Sequence, residues 1–160
     1  HGWYGSQGHG KNGLGFGKPE DPSNLGELSE IDVMNVLKLV QDSLSIDPTK
    51  IFLLGHSMGG AGVLHLGATY PSKWAGLACL APAFKGSTSQ VSKIKHLPVF
   101  MKTGDRDRLV RVRFVRKWAD AMKTYDVNLT YGEIKGGNHF GSISNNPSLL
   151  SEVFDFFDLY

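Results

Sequence analysis

The stretch that decides the fold is residues 51–60, IFLLGHSMGG, in which an apolar run ends in the motif G-x-S-x-G. An amphipathic stretch follows, so we expect a sharp turn from a strand into a helix, with the Ser57 hydroxyl exposed on a strained backbone. A side chain at Gly55 or Gly59 is expected to collide with the neighbouring strand or helix as the chain reverses. The first helical turn points free N–H groups toward the serine, and that of Met58 can stabilise an oxyanion.

Strands and helices alternate along the rest of the chain. Short apolar runs bounded by turn residues predict the strands, and apolar residues at helical spacing predict the helices. This alternation predicts an α/β fold, with a parallel sheet covered by helices. The predicted strands are 50–54, 74–80, 97–102 and 127–134, and the predicted helices are 28–44, 57–70, 110–125 and 147–159. The predicted buried faces of the last two helices are Val110, Phe114, Trp118 and Met122, and then Leu149, Leu150, Val153, Phe154 and Phe157.

The composition bounds the classes of protein that the chain can belong to. Its 160 residues, 41% of them apolar, predict one domain over 1–160, in which the glycine-rich residues 1–26 form a leading loop. A net charge of +2 predicts no nucleic-acid partner, and no apolar run reaches the roughly 18 residues of a membrane span, so no membrane partner is expected. No cysteine and histidine set has metal spacing, and no phosphate loop closes the glycine run, so we expect neither metal nor cofactor. The single cysteine, Cys79, lies in an apolar run and is expected to be a packed core thiol.

A cluster of basic residues follows the third predicted strand. Such a cluster can attract an anionic substrate or surface. Most of it falls within the predicted helix 110–125, on the face opposite Phe114 and Trp118, so we interpret it as a solvated helix face. The cluster consists of Arg106, Arg108, Arg111, Arg113, Arg116 and Lys117.

A reactive serine needs a base, because an alkyl hydroxyl is hardly ionised near neutral pH. His139 is the candidate base, since it lies in a loop beside two glycines after the last predicted strand, whereas His56 is expected to point away from Ser57. An acid must then orient the imidazole and stabilise its cationic form. Asp105 and Asp107 both follow the third strand, and either one completes the chain order Ser, Asp, His.

Three pieces of the chain together resemble the C-terminal two-thirds of an α/β-hydrolase, from the esterase and polyhydroxyalkanoate-depolymerase-like branch. They are GHSMGG at 55–60, KTGDRD at 102–107 and GGNH at 136–139. The resemblance implies a three-layer parallel sheet with helices on both faces. It also implies that the sheet is truncated to about four strands, because the strands that usually come first in the family do not precede residue 1.

The same resemblance assigns roles within the site. The family spacing of a glycine, two residues and an aspartate selects Asp107 over Asp105 as the partner of His139. Family members complete the oxyanion hole with an N–H from a loop that often carries His-Gly-Gly. Here residues 5–17 or a partner chain are the alternative sources of that N–H.

Without the early strands, the strand at 50–54 has an open edge, which favours a homodimer.

These roles predict hydrolysis of carboxylic esters, with a small-molecule ester as the partner. Ser57 would attack the acyl carbon, and the short connection 81–96 leaves no room for a lid domain, which favours short-acyl or aryl esters. A peptidase or an acyltransferase would use the same triad. A non-catalytic fragment or binding module would keep the motif without a complete oxyanion hole.

Overall fold

The computed structural model describes residues 22–83, 86–143 and 145–160 of the chain. In this part of the chain, each predicted strand and helix is present, with its ends shifted by a few residues. The helices are α1 (Leu25–Ser43), α2 (Met58–Thr69), α3 (Val112–Thr124) and α4 (Pro147–Phe157), and the strands are β1 (Phe52–His56), β2 (Gly76–Leu80), β3 (Val99–Gly104) and β4 (Leu129–Ile134). Two short 3₁₀ helices, Pro71–Lys73 and Thr88–Ile94, lie between them, the second within the predicted loop 81–96.

The chain divides into two compact units, His1–Thr49 and Lys50–Tyr160. The first unit contributes α1, and the second contains the whole sheet. The predicted leading loop, residues 1–26, lies outside the described residues except for 22–26. A single domain over residues 1–160 stays a prediction.

The four strands form one parallel sheet in the order β1-β2-β3-β4. The register places Gly55 opposite Cys79 and Gly104 opposite Ile134. Because all the strands run the same way, their carboxyl ends meet at one edge, where the loops after β1, β3 and β4 come together. The predicted α/β fold is confirmed. β1 lies at an edge of this sheet, and the homodimer through residues 50–54 stays a prediction.

Helices cover both faces of the sheet. Leu77 of β2 lies against Gly67 of α2, whereas Ala78, the next residue, belongs to an apolar cluster with α4. Successive side chains of a strand point to opposite faces, so α2 and α4 lie on opposite sides, as the resemblance implies. Cys79 is fully buried and burial raises the pKa of its thiol, so its predicted packing in the core is confirmed. The α4 cluster consists of Ala78, Leu80, Phe100, Ile143, Leu149, Val153, Phe156 and Phe157.

The buried faces of α3 and α4 differ in part from the prediction. Phe114, Leu150 and Phe154 were expected inside, but they are 46%, 45% and 55% exposed. Each helix sequence offers two overlapping apolar stripes at helical spacing, and contact with the sheet selects only one of them. The buried residues are Val115, Trp118, Ala119 and Met122 in α3 and Leu149, Val153, Phe156 and Phe157 in α4.

Candidate active site

The carboxyl edge of the sheet brings together the three side chains that the sequence singles out. His139 Nε2 lies 2.8 Å from Ser57 Oγ, and His139 Nδ1 lies 2.6 Å from Asp107 Oδ2. The Asp107 side chain is fully buried and that of His139 is 5% exposed, so water hardly reaches the bond between them. The imidazole therefore bridges a buried carboxylate and a hydroxyl.

Ser57 occupies a strained turn between β1 and α2. Its φ of 57° and ψ of −114° are a combination that L-residues rarely adopt. Its N–H donates to the Leu80 carbonyl at 2.8 Å, and its own carbonyl accepts from the Ala83 N–H at 2.9 Å. Such strain persists only where the surrounding structure imposes it, as these bonds do here. The strained turn predicted from G-x-S-x-G is present.

The glycines of this turn differ in whether the surrounding atoms leave room for a side chain. A Cβ at Gly55 would lie 2.2 Å from the Gly59 carbonyl oxygen, so no side chain fits there. Apart from its chain neighbours and the main chain of its own helix, no described atom lies within 4 Å of a Cβ at Gly59, so the collision predicted there with a neighbouring strand or helix is wrong. The second tight position is Gly60, where a Cβ would lie 3.0 Å from Pro82 Cα. The reason is that Gly59 is exposed in the first turn of α2, whereas Gly60 is buried.

Replacing Gly55 with alanine is expected to lower the free energy of unfolding by about 3 kcal/mol or more, since main-chain atoms must move to admit the methyl group. Gly59→Ala is the matched control in the same turn. It is expected to stabilise the protein by about 0.5–1 kcal/mol, because alanine favours a helix over glycine. Urea unfolding followed by circular dichroism measures both. Equal losses in the two variants would refute this account of the turn.

Asp107, not Asp105, faces the imidazole. Its Oδ1 accepts the N–H groups of Leu109 and Val110, each at 2.8 Å, which leaves Oδ2 for His139. A carboxylate can only accept, so the Nδ1 of His139 carries the proton and donates it in this bond. Nε2 then presents its lone pair to the serine hydroxyl, which is the tautomer that a general base requires.

Asp105 fastens two loops together. Its Oδ1 accepts the Gly136 N–H at 2.7 Å, a bond to the histidine loop rather than a cap on its own turn. The Arg106 N–H donates to the Gly137 carbonyl at 2.9 Å, and a Cβ at Gly104 would lie 2.3 Å from the same oxygen. The acid loop and the histidine loop are therefore joined main chain to main chain, which fixes the distance between the carboxylate and the imidazole.

Two aromatic rings flank His139. The His56 ring lies 4.6 Å from it between centroids, and the Phe140 ring meets it edge to face at 4.9 Å. Burial, and after it repulsion from His139 when that ring is protonated, lowers the pKa of His56, which disfavours a second cation beside the imidazole. Sequence reasoning missed this contact. The available signal was the position of His56 at the end of β1, next to Ser57.

The first turn of α2 supplies N–H groups beside the serine. The first hydrogen bond within α2 runs from Ala61 N–H to the Ser57 carbonyl, so the N–H groups of Met58, Gly59 and Gly60 precede it. They lie at the positive end of the helix dipole. This arrangement suits the predicted role of the Met58 N–H in binding an oxyanion. Residues 5–17, named as an alternative source of a second N–H, lie outside the described residues.

The described residues contain neither a candidate metal centre nor a candidate membrane-spanning helix. Among them, no group of three or more His, Cys, Asp or Glu side chains could hold a metal ion. No helix in the same part of the chain is long and apolar enough to cross a membrane. The expected absence of a metal and of a cofactor stays a prediction.

Known proteins resemble this chain in sequence and in fold. Residues 3–97 match the sequence profile of the Hydrolase_4 family, described as serine aminopeptidase, S33, and this stretch contains the turn at Ser57. The curated protein "Putative esterase NocK" of Nocardia uniformis subsp. tsuyamanensis is 29% identical over 99 residues, which cover 59% of this chain and 28% of that protein.

Two solved structures extend the comparison to the fold. A thermostable esterase is 21% identical with a TM-score of 0.70, over 81% of this chain and 37% of its own. SOBER1 of Arabidopsis thaliana is 23% identical with a TM-score of 0.67, over 88% of this chain and 66% of its own. Identities this low show the fold alone. The chain spans less than two thirds of the length of the curated relative and of the thermostable esterase.

Proposed function

Since the chain belongs to the Hydrolase_4 family of serine aminopeptidase S33, within the α/β-hydrolases, we propose that it hydrolyses carboxylic esters through a triad of Ser57, His139 and Asp107. Its relatives are esterase-like, and the narrower polyhydroxyalkanoate-depolymerase branch stays a prediction. The observation that carries the proposal is the bridging position of His139, 2.8 Å from Ser57 Oγ and 2.6 Å from Asp107 Oδ2.

The proposed reaction follows from these contacts. Ser57 Oγ attacks the acyl carbon as His139 Nε2 takes its proton, and the Asp107 carboxylate stabilises the imidazolium that forms. The Met58 N–H donates to the oxyanion of the tetrahedral intermediate. His139 then passes the proton to the leaving alcohol, and a water activated in the same way releases the acyl group from Ser57.

A cavity lined by residues that hydrogen-bond to Ser57 and to Asp107 supports a small apolar acyl or aryl group as substrate. It encloses about 490 Å³, within the range of small-molecule sites. One wall includes Ala83, whose N–H binds the Ser57 carbonyl, and another includes Leu109 and Val110, whose N–H groups bind Asp107. The residues that line the cavity are therefore bonded to Ser57 and to Asp107, although no triad residue is itself among its lining residues. Its apolar lining comes from Pro82, Ala83, Leu109, Val110, Phe114 and Trp118.

A peptidase is the second candidate, and the family description favours it. The matching family is named for a serine aminopeptidase, and a peptidase would use the same nucleophile and base on an amide. An amide has a poorer leaving group than an aryl ester. Comparing the rates on an aryl ester and on an anilide therefore distinguishes an esterase from a peptidase.

Initial rates on p-nitrophenyl butyrate, p-nitrophenyl palmitate and alanine p-nitroanilide test the proposal. We expect the butyrate to be hydrolysed fastest, because the cavity holds a short acyl group. A faster anilide would favour the peptidase. Transfer of the acyl group to an added alcohol, at the expense of hydrolysis, would favour an acyltransferase. A folded protein without activity on any of them would indicate a binding module.

A further inference from the structure

A groove lined by arginines opens at the carboxyl edge of the sheet, next to the acid loop. It is an open surface groove of about 530 Å³ between the loop after β3 and the start of α3. Asp107 is one of its lining residues. The side chain of Asp107 is hydrogen-bonded to His139, which in turn is hydrogen-bonded to Ser57 Oγ. The cationic residues that line it are Arg106, Arg108, Arg111 and Arg113.

The predicted solvated helix face is borne out only in part. Arg113, Arg116 and Lys117 lie in α3 and are exposed, whereas the other three residues of the cluster are exposed but precede the helix. α3 begins only at Val112, so of the four arginines that line the groove Arg113 alone is in the helix. Arg116, farther along α3, instead binds both carboxylate oxygens of Glu133 at 2.8 and 2.7 Å. The basic cluster is therefore divided: Arg106, Arg108, Arg111 and Arg113 line the groove, whereas Arg116 and Lys117 lie farther along α3 and do not.

The carboxylates of the groove are already used by the fold. Both oxygens of Asp107 are occupied, by His139 and by two main-chain N–H groups, and its side chain is fully buried. One oxygen of Asp105, Oδ1, accepts the Gly136 N–H. Both carboxylates keep their charge, so four guanidinium groups line the groove together with two carboxylates. None of the four guanidinium groups forms a salt bridge with a carboxylate in the described part of the chain. The nearest partner of Arg113 is the Phe114 ring, 4.9 Å from its Cζ.

The four arginines outnumber the two carboxylates of the groove, so its net charge is positive, and the positive end of α3 adds to the field. An anion in the groove would balance this excess of positive charge. Guanidinium groups bind carboxylates and phosphates through paired hydrogen bonds, which suits a planar or tetrahedral oxyanion. We propose that this groove binds a carboxylate or phosphate carried by the substrate, so that the enzyme prefers anionic esters. This inference rests on the proposed ester hydrolysis.

A pair of esters with acyl chains of the same length, one neutral and one anionic, tests the preference for anionic esters. The neutral substrate is p-nitrophenyl hexanoate, and the anionic one is mono-p-nitrophenyl adipate. We expect a higher kcat/KM for the adipate at low ionic strength, and a ratio that falls as salt screens the arginines. Replacing Arg108 and Arg111 with glutamine is expected to lower the adipate-to-hexanoate ratio by about tenfold, while the rate on the hexanoate stays near that of the wild type.

A matched control separates a local site from total charge. Lys73, Lys93, Lys95 and Lys123 are exposed, and all four lie in or beside the segments that enter β2, β3 and β4, at the opposite edge of the sheet. Changing these four to glutamine removes as much charge as changing all four arginines of the groove. We expect the lysine variant to keep the wild-type ratio and the fourfold arginine variant to lose it. The same ratio in both variants would overturn the proposal.

Inorganic phosphate distinguishes a substrate group from a free anion. Phosphate that inhibits adipate hydrolysis competitively in the wild type, and not in the Arg108→Gln, Arg111→Gln variant, supports the proposal. Suppose that phosphate raises the melting temperature of the wild type and not of the arginine variant, while the adipate-to-hexanoate ratio of kcat/KM stays at one. The groove would then bind a free anion, and the proposal would be overturned. A wild-type protein inactive on both the hexanoate and the adipate would reject ester hydrolysis. The phosphate melting shift would then still report whether the groove binds anions.

Discussion

Replacing Ser57 with alanine is expected to lower kcat on p-nitrophenyl butyrate by about 10⁶-fold, the scale typical of losing the nucleophile of a triad. The variant keeps the cavity and the Met58 N–H, so a residual rate above that in water remains. Initial rates measured with a large excess of enzyme give the residual activity.

Ser72→Ala is the control for this change. Ser72 is exposed in the 3₁₀ helix Pro71–Lys73, before β2, at the edge of the sheet away from the site. We expect it to keep the wild-type rate, and both variants to melt at the wild-type temperature. A Ser57→Ala protein that is folded and still turns over a substantial share of the ester would rule out the proposed nucleophile.

Changing Asp107 to asparagine is expected to lower kcat by about 10⁴-fold, as in other triads in which the acid becomes an amide. Asn Oδ1 can still accept the N–H groups of Leu109 and Val110, so the loop keeps its shape. The amide nitrogen then faces Nδ1 of His139 as a donor, which forces the proton onto Nε2. That tautomer cannot accept the proton of Ser57.

Asp105→Asn separates the two acids that the sequence left as candidates. The asparagine carbonyl can accept the Gly136 N–H as the carboxylate does at 2.7 Å. We therefore expect near wild-type kcat and melting temperature for this variant. A larger loss of kcat at Asp105 than at Asp107 would mean that the wrong carboxylate has been placed in the triad.

Much of the fold was predictable because it depends on local patterns. The apolar run before Gly55, the helical spacing in α3 and α4 and the G-x-S-x-G motif each act over a few residues, and the structure contains the elements they predict. The preference for Asp107 over Asp105 came from a family spacing, and the structure places Asp107 Oδ2 at His139.

What escaped prediction depends on contacts between distant segments. The fastening of the acid loop to the histidine loop pairs Gly104 with Gly137 and Asp105 with Gly136, and no local pattern links these residues. The difference between Gly59 and Gly60 depends on how α2 packs behind the turn. The exposure of Phe114 reflects which of two apolar stripes of α3 meets the sheet.

The central claim is that Ser57 is a hydroxyl made reactive by His139 and Asp107. Treatment of the folded protein with a fluorophosphonate, followed by peptide mapping in a mass spectrometer, tests it most directly. The account predicts a single adduct on Ser57 in the wild type, greatly slowed labelling of Asp107→Asn and none of Ser57→Ala. A well-folded wild-type protein that takes up no phosphonate, or takes it up on another serine, would contradict the account.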